Sequence, residues 1–322
     1  MIEARGLART FKTRTGPVEA VRGVDFHVAG GEIVGFLGPN GAGKTTTQRM
    51  LSTLITPTSG EATVAGCDLR RDPVGVRRAI GYVAQGGATN PLAVVDEELV
   101  TQARLYGITV AEGQRRAEEL RRQLDLAEHG GRLVKQLSGG QRRRLDIALG
   151  MIHGPRLLFL DEPTTGLDPH SRANLWQHIR GLRDRAGMTV FLTTHYLDEA
   201  DALCDRILII DHGKIVASGT PAELKQRISG DLVTLDVGEH ADRARELLAV
   251  RTGVREASVF DGTVRVTVER GDAAAIALMR VLDDAGIPVA ALRVAHPSLD
   301  DVFLTLTGRS LRDADASPAA PN

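Results

Sequence analysis

Short unbroken apolar runs alternate along this chain with longer stretches in which apolar residues recur every three or four positions. Ile33–Leu37 and the runs at 157–160 and 190–194 are strand-length and bounded by glycine or charge, which predicts strands buried on both faces. Residues 45–54 predict a helix directly after the first run. Strands alternating with helices predict an α/β fold built on a largely parallel, doubly wound sheet. Over about 96–137 the chain is charged, with Leu99, Leu105, Leu120, Leu124 and Leu126 at helical spacings, and this predicts a helical subdomain inserted into the sheet domain.

The pattern changes after residue 228. Segment 232–237 and Thr263–Val268 alternate as half-buried strands do, 241–248 and 273–285 read as helices, and 288–294 as one more strand. This β-α-β-α-β order predicts a small α+β appendage over 229–308, following a main domain over 1–228. Residues 309–322, with Ser317, Pro318 and Pro321, are expected to form a disordered tail.

Hydrophobic residues make up 42% of the 322 positions, enough for a large α/β domain and a second core. Forty basic residues face 41 acidic ones, for a net charge of -1, so no nucleic-acid partner is expected. Cys67 and Cys204 lie in no metal-ligand or CxxC spacing and are expected as reduced thiols. Charge interrupts the N-terminus where a signal peptide needs an apolar core, and no apolar run reaches the ~18 residues of a membrane helix. A cytoplasmic chain is expected, with any membrane role exercised through a partner.

Chemistry enters at the end of the first apolar run. Gly38, Pro39, Asn40, Gly41, Ala42, Gly43, Lys44 and Thr45 fit the phosphate-binding loop G-x-x-x-x-G-K-[ST], with Thr46 next in the helix that follows. Glycines let successive N–H groups face phosphate, and the helix N-terminus adds its dipole. Lys44 is expected at the β- and γ-phosphates of ATP, and Thr45 on Mg²⁺. The run at 157–160 ends in Asp161 and Glu162. A metal-phosphate enzyme wants one carboxylate for Mg²⁺, here Asp161, and another to orient or deprotonate the attacking water, here Glu162.

Leu137, Ser138, Gly139, Gly140 and Gln141 form the Leu-Ser-Gly-Gly-Gln signature of ATP-binding-cassette transporters, which the chain resembles over roughly 2–223. Physically, Ser138 caps a helix whose first turn offers free N–H groups. The resemblance implies a P-loop NTPase cassette that hydrolyses Mg-ATP. It also implies a homodimer stacked head to tail, with each ATP held between the phosphate loop of one chain and Ser138, Gly139, Gly140 and Gln141 of the other. By matched position, it implies that Gln85 senses the γ-phosphate, joins Thr45 and Asp161 at the metal and faces the membrane partner, and it implies a dimer-communicating loop at Asp168, a γ-phosphate switch at His195 and adenine stacking on Phe11. Arg142, Arg143 and Arg144 are expected on a solvated face of the signature helix or at contacts between subunits, rather than on nucleic acid.

A narrower resemblance rests on 142–148, 169–172 and 298–308, the last reading Ser-Leu-Asp-Asp-Val-Phe-Leu-Thr-Leu-Thr-Gly. These segments are similar to the daunorubicin/doxorubicin-resistance type of ATP-binding subunit. That implies export of drugs, antibiotics or lipids through a separate membrane permease, with this chain peripheral on the inner face of the cell membrane. The alternative of an ATPase acting on ribosomes or DNA fits less well, because there is one phosphate loop and no sustained heptad pattern. Import in place of export stays open, since the permease sets direction.

Overall fold

The computed structural model describes residues 1–307 apart from 15, 229 and 261; the tail at 309–322 lies outside the described residues. The chain divides into two compact units that meet at Ser218 and Gly219.

The first unit holds a six-stranded sheet in the order Lys214–Gly219, Arg206–Asp211, Ile33–Leu37, Thr189–Thr194, Leu157–Asp161, Ile80–Val83. From Arg206–Asp211 to Ile80–Val83 every neighbouring pair is parallel. The three central strands are buried at every residue, which is why their sequences read as continuous apolar runs. Because the strands run parallel, their carboxyl ends share one edge, and the loops leaving that edge can meet.

A second sheet was not anticipated. Gly16–Val28, Ile2–Thr13, Ser59–Val64 and Cys67–Asp68 pair antiparallel in that order. Register shifts near Ala4, Leu7 and Arg9 break the two-residue alternation that would have marked its longest strands. Ile2, Leu7, Val21 and Val64 of this sheet share one core cluster with Val34, Phe36, Phe159 and Phe191 of the other.

The helical subdomain contains Val95–Leu105 and Val110–Gln123, the second capped by Thr109, whose hydroxyl accepts from the Glu112 N–H at 3.4 Å. Leu99, Leu120, Leu124 and Leu126 are buried as their spacing predicts; Leu105, at a helix end, is 77% exposed.

The second unit is a four-stranded antiparallel sheet ordered Val254–Phe260, Thr263–Val268, Asp231–Asp236, Ala291–Ala295. Helices Ala241–Ala249 and Gly271–Asp284 pack on it around Val233, Leu235, Leu248, Val266 and Leu278. Val254–Phe260 was missing from the sequence reading, so the order is β-α-β-β-α-β, a split β-α-β arrangement. Helices Pro221–Ile228 and Leu299–Thr307 pack against each other, which carries this unit back to Gly219, ahead of the boundary expected at 229.

Candidate active site

The phosphate loop leaves the buried strand Ile33–Leu37 and enters helix Lys44–Leu51, with two glycines fixed by their surroundings. Gly43 has φ +107°, and a Cβ there would lie 2.5 Å from the Ala20 carbonyl oxygen. A Cβ on Gly38 would lie 2.2 Å from the Ile210 carbonyl oxygen. Neither position admits a side chain without moving backbone. Pro39 and Ala42 are buried, while Asn40 and Gly41 form the exposed crest of the loop. Lys44 is only 4% exposed, and its ammonium donates to the Gly38 and Pro39 carbonyls at 2.6 and 3.1 Å. Thr46 follows, half-buried, in the first helical turn.

Asp161 and Glu162 stand at the carboxyl end of Leu157–Asp161, beside that loop. The Asp161 carboxylate accepts from the Thr193 hydroxyl at 2.7 Å and the Thr45 hydroxyl at 3.2 Å. Glu162 takes a left-handed backbone, φ +44°, and its N–H donates to Thr193 Oγ1 at 3.1 Å. Its carboxylate then collects neighbours from four segments. Gln85 Nε2 donates to it at 2.8 Å, Thr165 Oγ1 donates at 3.2 Å, His195 Nδ1 lies 3.2 Å away and Lys44 Nζ 3.7 Å away. Burial alone would raise this carboxyl, but the His195 ring and the Lys44 charge hold it below its ordinary 4.5. Glu162 is therefore ionised at neutral pH and accepts hydrogen bonds only.

The other predicted residues lie outside this cluster. Ser138 caps helix Gly139–Met151 in a reciprocal box: its hydroxyl accepts from the Gln141 N–H at 3.3 Å, and Gln141 Oε1 accepts from the Ser138 N–H at 2.9 Å. Gln141 Nε2 lies 2.9 Å from His129 Nε2, and a Cβ on Gly140 would lie 3.1 Å from Ser171 Oγ. Ser138 and Gly139 are exposed. Asp168 caps the helix Pro169–Ala186, accepting from the Ser171 hydroxyl and N–H at 2.7 and 2.9 Å, and these bonds lower its carboxyl. Phe11 sits half-exposed on Ile2–Thr13 with the Arg9 guanidinium 4.6 Å from its ring centre.

Residues 21–165 match the family described as ABC transporter, and residues 219–307 match one described as ATP-binding protein DrrA1-3-like, C-terminal domain. The Daunorubicin resistance ATP-binding protein DrrA2 of Streptomyces coeruleorubidus is 43% identical, with 97% of this chain and 98% of that one covered. The chain belongs to the ABC transporter family. The Linearmycin resistance ATP-binding protein LnrL of Bacillus subtilis is 34% identical over 97% of this chain and all of its own length. A dimeric ATP-binding cassette in a post-hydrolysis state, bound to ADP and Pi, superposes with a TM-score of 0.62 at 26% identity, covering 68% of this chain and 98% of that one.

As an ABC ATPase, the chain has two residues beside the Glu162 cluster whose places the residue pattern does not give, Arg143 and Thr193. Arg143 was expected on a solvated face of the signature helix or at contacts between subunits. It is 7% exposed and donates to three carbonyls: Pro163 at 2.8 Å, Ala84 at 2.6 Å and Asp161 at 3.0 Å. It thereby ties the signature helix to the backbone beside Gln85 and on both sides of Glu162. Arg144 is buried as well, donating to Asn174 Oδ1 at 2.5 Å. Thr193 is the other omission; a pair of hydroxyls ending an otherwise apolar strand, Thr-Val-Phe-Leu-Thr-Thr, was its signal. Among the described residues no helix is long and apolar enough to cross a membrane.

Proposed function

We propose that this ABC ATPase completes its catalytic site only with a second copy, and that hydrolysis there drives a separate permease exporting amphiphilic drugs, antibiotics or lipids. The convergence of Gln85, Thr165, His195 and Lys44 on the single carboxylate of Glu162 carries the hydrolytic part of this reading, and the exposed Ser138 cap, which joins none of these contacts, supports the part played by a second copy. Lys44 supplies the charge that offsets the β- and γ-phosphates. Thr45 and Asp161 present oxygen donors 3.2 Å apart, and among the described residues no group of three or more acidic, His or Cys side chains could hold a metal alone. That sparse donor set fits Mg²⁺, which takes few protein ligands and keeps water and phosphate oxygens, with Gln85 nearby as a further oxygen. When bound, Mg²⁺ supplies neutralisation of phosphate charge.

Glu162, ionised and oriented by Gln85 and Thr165, accepts a hydrogen bond from the attacking water, and His195 beside it addresses the γ-phosphate. Phe11 offers a ring face for adenine, and the exposed cap formed by Ser138, Gly139, Gly140 and Gln141 offers helix N–H groups to the ATP of the partner chain. Asp168, at the neighbouring helix start, faces the same dimer junction. The chain acts at the inner membrane surface through its permease. Relatives named for daunorubicin, doxorubicin and linearmycin resistance support the substrate class.

Glu162→Gln keeps the shape and the contacts to Gln85 but loses the basic carboxylate. ATP should still bind, turnover should fall by about two to three orders of magnitude, and an ATP-bound dimer should accumulate on a sizing column. Near wild-type hydrolysis would remove Glu162 from this role. In cells expressing the permease, the same variant should abolish efflux of an amphiphilic antibiotic.

A further inference from the structure

The second unit contains a groove of about 530 Å³ between helix Gly271–Asp284 and the loop that precedes strand Val254–Phe260. Its walls are Val254, Val268, Ala274, Ala277, Leu278 and Val281. Alanines on the helix face keep the groove open where larger side chains would fill it, and Val268 and Leu278 form a buried floor. The volume lies within the range of small-molecule sites, which are mostly apolar with a few placed polar groups.

The polar groups are at the rim and their charge is one-sided. Glu269 also lines the groove, but Arg255 engages it at 3.4 Å. Arg251 and Arg270 remain, exposed, and neither guanidinium has an ion-pair partner among the described residues. An apolar trough with two unspent cations at its mouth matches a molecule with a hydrocarbon body and an anionic head. We propose that this groove binds a single amphiphilic anion, a carboxylate or phosphate monoester carrying an apolar chain or ring. Arg251 and Arg270 take the head group and the Val254–Val281 trough takes the body. This site is separate from the nucleotide cluster and does not depend on the assignment of Glu162.

Titration calorimetry on the full chain tests it, with sodium laurate below its micelle concentration as probe. Laurate should bind one to one, and inorganic phosphate or dodecylammonium at least about tenfold more weakly, because each lacks one of the two features the site reads. An Arg251→Gln/Arg270→Gln variant should weaken laurate by about tenfold while keeping the wild-type thermal transition, and Ala277→Trp should block it by filling the trough. Equal binding of laurate and dodecylammonium, or unchanged laurate binding in both variants, would overturn the proposal. Capture by phosphatidylglycerol vesicles without binding of monomeric laurate would overturn it too, in favour of a membrane surface as the source of the anion.

Discussion

Replacing Arg143 with alanine removes a buried guanidinium that holds three carbonyls from two loops and lies 3.8 Å from the Asp146 carboxylate. Burial lowers the pKa of this arginine, with Asp146 and Asp161 pulling the other way, so its charge is costly to bury and is retained by its partners. Truncation abolishes that desolvation cost but takes the guanidinium donor from the Ala84, Asp161 and Pro163 oxygens, of which Ala84 keeps the Gly87 N–H at 3.2 Å, and removes the ion-pair partner of Asp146. Removing one member of a buried charged network typically costs about 3–5 kcal/mol. For a unit of this size each kcal/mol lowers a melting temperature by roughly 2–4 °C, so the cassette transition should fall by roughly 6–20 °C. Differential scanning calorimetry on the full chain would read this, the second unit's transition serving as internal reference. A kinetic effect should appear even where the variant is folded. Ala84 precedes Gln85, and Asp161 and Pro163 flank Glu162, so loss of the tether misplaces both partners of the 2.8 Å contact. Displacement on the order of 1 Å can cost about 10²-fold in rate. At 10 °C, with folding verified by circular dichroism, turnover should fall at least about tenfold. A shift under about 1 kcal/mol, or unchanged turnover, would refute the view that Arg143 braces the site.

Two further predictions rest on single positions. Gly43→Ala places a Cβ 2.5 Å from the Ala20 oxygen at φ +107°, so binding of a labelled ATP analogue should be lost and stability should drop by about 2 kcal/mol or more; wild-type binding would mean the loop yields freely. His153 stacks on Tyr106 at 3.8 Å, its Nε2 lies 2.9 Å from the Ile80 oxygen, and burial holds its pKa below the ordinary 6.5. The unfolded chain therefore takes up this proton more readily than the folded one. Stability should be full above about pH 7 and decline as pH falls through 6.5, and His153→Phe should flatten that slope in urea titrations. An unchanged slope would remove His153 as its source.

Continuous apolar runs told of the parallel sheet because strands buried on both faces have no polar alternation to blur. The phosphate loop was legible for a related reason: backbone crowding at Gly38 and Gly43 forces glycine, and the sequence displays it. The antiparallel sheet was hidden by register shifts in Ile2–Thr13. Val254–Phe260 was hidden by its position at a sheet edge, where most of its residues are exposed, although Asp261-Gly262 is a common hairpin pair. Arg143 misled because three consecutive arginines read as a wet surface or a contact between subunits. The signature helix is enclosed from Arg143 to Met151, so it has no apolar stripe to distinguish buried from exposed positions. Which loops meet at Glu162 could not be read from spacing alone. Thr165 is three residues along the same loop, but Gln85 and His195 reach Glu162 because parallel strand order, not sequence separation, sets their distance.

The claim that two chains share each site is tested most directly by mixing inactive variants. Lys44→Ala disables the phosphate loop and Ser138→Arg blocks the signature cap, so each homodimer should be inactive. In a mixed dimer one site receives both lesions and the other receives neither. Random pairing makes about half the dimers mixed, so about a quarter of all sites should be intact. ATPase activity, measured with the permease present and with mixed dimers verified by differential tags, should rise clearly above that of either variant alone. Activity no higher than that of the separate variants would mean that each chain completes its own site or that both sites must fire together, and the shared-site account would fall.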